Sequence, residues 1–125
     1  MGNHLHHAII VTSSDRADLD RAHRHAVETM GSLVGPIIDG SINDYGSFIV
    51  APDGSKEGWN ESNQRDVERG ALCALLGKLW GVDWVQVAFG GDNGDATTRV
   101  VRHGDDDHLM SLIPTVSFDQ RKASI

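Results

Sequence analysis

The sequence predicts an α+β fold, a two-layer sandwich in which two helices cover one face of a mainly antiparallel sheet of about five strands. Three features of the chain point there. Short β-branched runs bounded by turn residues recur along it. Amphipathic stretches follow the first and third of these runs. A length of 125 residues suffices for one hydrophobic core but not for two independent ones. The expected order is βαββαββ with a short C-terminal helix or tail. Residues 1–125 are thus read as a single domain, with 1–6 frayed and 104–125 an extension.

Residues 7–12 (HAIIVT) read as a central, largely buried strand. Ser13 or Ser14 then offers a helix cap. Leu19, Ala22, Ala26, Met30 and Leu33 recur at helical spacing, acidic Asp15 and Asp18 suit the helix start, and Gly31 is a natural stop. Ile37–Ile38 and 47–51 read as two strands with an irregular connection between them, closed by the Pro52-Asp53-Gly54-Ser55 turn. Ser62 or Asn63 caps a second helix ending near Gly81. Its apolar stripe is read as Val67, Ala71, Ala74, Leu75, Leu79 and Trp80, and its wet face as Gln64, Arg65, Glu68 and Arg69. Residues 84–89 and 97–103 form a hairpin around a glycine-rich loop at 90–95, and 108–113 suits a short helix. If 36–42 pairs, the nearest common topology is a ferredoxin-like split arrangement with one added strand, whose open sheet face could serve a dimer.

Composition narrows the function. Eleven basic against 18 acidic residues give a net charge of −7, which disfavours long DNA or RNA yet allows one small anion in a locally cationic pocket. The lone Cys73, inside an apolar run, is placed in the core and supports neither disulfides nor a zinc knuckle. No apolar run is long enough to span a bilayer and no signal peptide is visible, so a soluble, cytoplasmic protein is expected.

Catalytic and cofactor patterns are weak. The sequence has no nucleophile elbow, no dinucleotide or triphosphate glycine loop and no paired-histidine phosphoesterase motif. His4 and His6 could supply two metal nitrogens on one strand face, but no spacing points to further ligands. His23 and His25 diverge around a helix, and 105–107 lacks the alternation of a calcium loop. No catalytic residue, metal site or cofactor is therefore assigned. Aromatic, cationic and amide residues instead gather in loops. Tyr45 and Trp59 could stack a base, Lys56, Arg99 and Arg102 could neutralise phosphate, and Asn60 and Asn93 could read amide edges and hydroxyls. Trp59 could equally staple the start of the second helix.

Residues 46–59 (GSFIVAPDGSKEGW), with 83–87 (DWVQV) and 91–93 (GDN), resemble segments of small proteins of tailed bacteriophages. The chain is similar in kind to phage anti-Thoeris sponge proteins. That resemblance implies a homo-oligomeric anti-defence protein in the host cytoplasm that sequesters a cyclic ADP-ribose-type signal without cleaving it, and it carries over no individual contact residue. A metal-assisted phosphodiesterase using His4, His6 and aspartates, or an inhibitor docking on a host enzyme, are the alternatives.

Overall fold

The computed structural model describes residues 4–56, 58–91 and 98–104, and within them the βαββαββ order holds. Strand β1 (His6–Ser13) leads into helix α1 (Arg16–Met30), a 3₁₀ turn (Gly31–Leu33) and the two-residue strand β2 (Ile38–Asp39). Strand β3 (Gly46–Val50), helix α2 (Asn60–Leu76) and the hairpin β4 (Val82–Phe89) with β5 (Arg99–His103) follow. The sheet order is β2-β3-β1-β4-β5, and every neighbouring pair is antiparallel. Each helix thus connects two strands separated by one other, the split arrangement expected, with β5 as the added edge strand.

Alternation along the strands decides which face the helices cover. Ile9 and Val11 of β1, Phe48 and Val50 of β3 and Val82 of β4 are buried against Leu19, Ala22, Ala26 and Met30 of α1 and Leu72, Cys73 and Leu76 of α2. Ile10, between Ile9 and Val11, is 40% exposed. The central strand is therefore buried on one face only, not on both as its β-branched run suggested.

α1 follows the sequence reading closely. Its cap is Asp15 rather than a serine, and the Asp15 carboxylate accepts from the Asp18 amide. Ser13 is used elsewhere: its hydroxyl accepts from the Asp15 amide at 2.8 Å and donates to the Gly81 carbonyl. Gly31, at φ 55, ends the helix in a backbone region that side chains rarely adopt.

α2 departs from expectation in phase and extent. It starts at Asn60 with Trp59 at the cap position and ends at Leu76, with Gly77 rather than Gly81 beyond it. Its buried positions are Ser62, Arg69, Leu72, Cys73 and Leu76, while Val67 is 67% exposed and Ala71 and Ala74 also face outward. Trp80, past the helix, is exposed as well. Arg69 lies inside rather than on the wet face, paired with Asp66 at 2.5 Å. The long stem of arginine can cross apolar surface and deliver its charge to a partner at the rim, which residue-type counting does not capture.

β1 begins at His6, opposite Phe89, so strand pairing reaches into the segment expected to fray. Residues 92–97, which include most of the loop expected at 90–95, and residues 105–125, with the triple aspartate and the expected short helix, lie outside the described residues.

Candidate functional site

The strand directions separate the predicted site residues. β3 runs from Gly46, opposite Ser13, to Val50, opposite Ile9. Tyr45, just before β3, and the 51–59 loop just after it therefore leave opposite ends of the sheet. Tyr45 borders a depression with Ser14, Arg16 and Asp39, where Arg16 reaches Asp39 at 2.8 Å. Arg99 stands opposite Ala88 on the edge strand, and Arg102 borders a third groove. Asn93 lies outside the described residues. Only Lys56, Trp59 and Asn60 are brought together.

Trp59 and Asn60 line a concavity of about 800 Å³ at the start of α2, with Asp53, Ser55, Glu61 and Arg65 among others, and Lys56 stands beside it, next to the Trp59 ring. Trp59 is 49% exposed and the Lys56 ammonium lies 6.0 Å from its ring centroid, within cation–π range. Asn63 donates the first helical hydrogen bond, to Trp59, and Trp59 has no side-chain cap to offer. The amides of Asn60, Glu61 and Ser62 consequently have no acceptor within the helix.

The 52–55 turn does more than reverse the chain. The Asp53 carboxylate accepts from the amide and hydroxyl of Ser55 at 3.0 and 2.9 Å. Burial pushes this carboxyl up, but those two hydrogen bonds and the charges of Arg69 and Arg65 outweigh it, holding Asp53 below its ordinary value and ionised at neutral pH. Arg65 is held by Glu68 at 2.8 Å and lies 3.8 Å from Asp53, so much of its charge is already matched. Sequence reading had these residues only as a turn and a wet helix face. The missed signal is the clustering of 60, 61, 64, 65 and 68 on one side of the first two turns of α2, beside an Asp-x-Ser turn.

No protein-family model, curated protein or solved structure matches the chain.

A second polar centre lies between α2 and the β4–β5 hairpin. Gln86, 2% exposed, accepts from the Arg102 Nε at 2.7 Å and, more weakly, from the Cys73 thiol at 3.6 Å. These bonds fix its carbonyl, so its NH₂ donates to His7 Nδ1 at 3.3 Å and leaves the ring proton on Nε2. Beside this cluster a groove of about 410 Å³ is bordered by Lys78, Trp84, Arg102 and His103. Cys73 is in the core as expected, and burial, against the opposing charges of Arg102 and Arg69, pushes its thiol up to about 11. On the order of one thiol in a thousand is then ionised at pH 8. An aromatic disulfide reagent at that pH should label the native protein far more slowly than the urea-unfolded chain; equal rates would refute the burial.

Among the described residues, no group of three His, Cys, Asp or Glu side chains is placed to hold a metal ion, and the His6 ring lies tilted against Phe89, with centroids 5.5 Å apart. Within the same residues no helix is long and apolar enough to cross a membrane.

Proposed function

We propose that this protein binds a small nucleotide-derived ligand, without cleaving it, in the concavity at the start of α2. The reading rests on the half-exposed Trp59 ring, with Lys56 alongside it and the uncapped amides of Asn60, Glu61 and Ser62 close by. An exposed indole offers a stacking face to a base, and amides at a helix start favour a phosphate. Because Arg65 is largely matched by Glu68 and Asp53, phosphate charge falls to Lys56 and those amides. The carboxylates of Asp53 and Glu61 suit ribose hydroxyls. A volume of about 800 Å³ lies within the range of small-molecule sites. The likeness to phage sponge proteins supplies the ligand class, a cyclic ADP-ribose-type signal, and with it an anti-defence role.

Calorimetry against cyclic ADP-ribose isomers and cyclic dinucleotides tests this directly. Binding of at least one is expected, with the nucleotide recovered intact after the protein is heat-denatured. Trp59→Ala should weaken it about 5- to 150-fold, since stacking one base on an aromatic ring contributes about 1–3 kcal/mol. No heat with any of these ligands, or a Trp59→Ala variant that binds like wild type, would overturn the site.

A further inference from the structure

The sheet face turned away from the helices has no covering layer among the described residues. The strand registers place Ile10, Ile38, Ile49, Val87, Phe89 and Val100 on it. Five of these are substantially exposed: Ile38 66%, Val100 55%, Ile49 48%, Ile10 40% and Phe89 37%. Thr12 and Ser47 bond to each other across it at 2.8 Å. By the same registers Asp83, at one end of β4, is the only Asp, Glu, Lys or Arg of the described residues on this face. Arg99 and Arg102, opposite Ala88 and Gln86, belong to the helix side. His6, opposite Phe89, and His103, opposite Val85, stand at its margins, so on a chain of net charge −7 this is a largely apolar plane with little formal charge.

We infer that this face is a homodimer interface, closed by the same face of a second copy. Size supports it. Five strands about 4.8 Å apart, with two to eight residues at about 3.4 Å each, cover on the order of 450 Å² in projection. That approaches the roughly 800 Å² of accessible surface per partner in a standard stable interface. Charge chooses the occupant. A surface without lysine or arginine does not attract an anionic lipid surface, whereas two copies of such a plane can stack without the repulsion that the acidic remainder would impose. A twofold axis lying between the stacked sheets makes the contact self-complementary, with each isoleucine and valine meeting the same set on the other copy.

Light scattering on the eluting 125-residue chain at micromolar concentration should give twice the 13.5 kDa chain mass. Ile49→Lys, or Val100→Lys on the edge strand should the first not fold, should return the chain mass with an unchanged far-UV dichroism spectrum. Val67→Lys, equally exposed and apolar but on α2, should leave the dimer intact. A wild-type monomer would overturn the inference, as would a dimer that survives both sheet substitutions or one that Val67→Lys dissociates. Mass is read independently of ligand heat, so this interface and the Trp59 site succeed or fail separately.

Discussion

Phe48→Ala should lower stability by about 3–5 kcal/mol, the range for emptying an aromatic core position. Phe48 is 1% exposed at the middle of β3, and its ring meets His23 edge-on with centroids 5.0 Å apart. The same histidine bonds the Gly35 carbonyl at 2.9 Å, tying α1 to the segment before β2. The void would therefore loosen both the sheet and the α1 contact, and neither side can close it without shifting a helix. For a domain near this size about 4 °C of melting temperature accompanies each kcal/mol, so a drop of roughly 12–20 °C is expected in thermal denaturation followed by dichroism. Val67→Ala is the matched control. Val67 is a periodic apolar residue in the sequence but 67% exposed, and its loss should change stability by less than about 0.5 kcal/mol. Equal losses at the two positions would disprove the packing phase of α2.

Gln86→Leu should cost about 1–2 kcal/mol although leucine is close in volume. The substitution removes the acceptor of Arg102 Nε and the donor to His7 Nδ1 while their surroundings stay partly closed. Arg102 lies on the exposed edge strand, where water can take up its guanidinium, so the cost falls mainly on the lost bonds and on the half-buried His7 ring. The double variant Gln86→Leu, Arg102→Leu should recover part of the loss, because replacing both partners by apolar groups can be nearly neutral. A urea-denaturation cycle over the two positions measures the coupling. Strict additivity would mean that the Arg102–Gln86 bond contributes nothing.

α1 could be read from the chain because Leu19, Ala22, Ala26 and Met30 are all apolar, uninterrupted and followed by glycine. The presence of α2 was legible too, but its buried face was only partly so: Leu75 and Leu79 pack toward the core as the stripe suggested, while Ser62 and Arg69 are buried and Val67 looks outward. Whether an arginine can be buried depends on where Asp66 and neighbouring elements lie, and that is tertiary information. The candidate site divides in the same way. Lys56, Trp59 and Asn60 are near neighbours in the chain and meet through one turn, so local reasoning sufficed to group them. Tyr45 and Arg102 were grouped with them by residue type alone, and the direction of β3 and the edge position of β5 put them elsewhere.

The central place of β1 bears on how the protein comes to be made. Both neighbours of this first strand arrive late, β3 at Gly46–Val50 and β4 at Val82–Phe89, and the Ser13 hydroxyl finds its Gly81 partner 68 positions on. A nascent chain holding β1 and α1 alone exposes an unpaired isoleucine-rich segment with no sheet to join. Such long-range pairing slows folding and leaves early segments open to association. Completion of the sheet must therefore wait until β4 has left the ribosome, when β1 is enclosed from both sides.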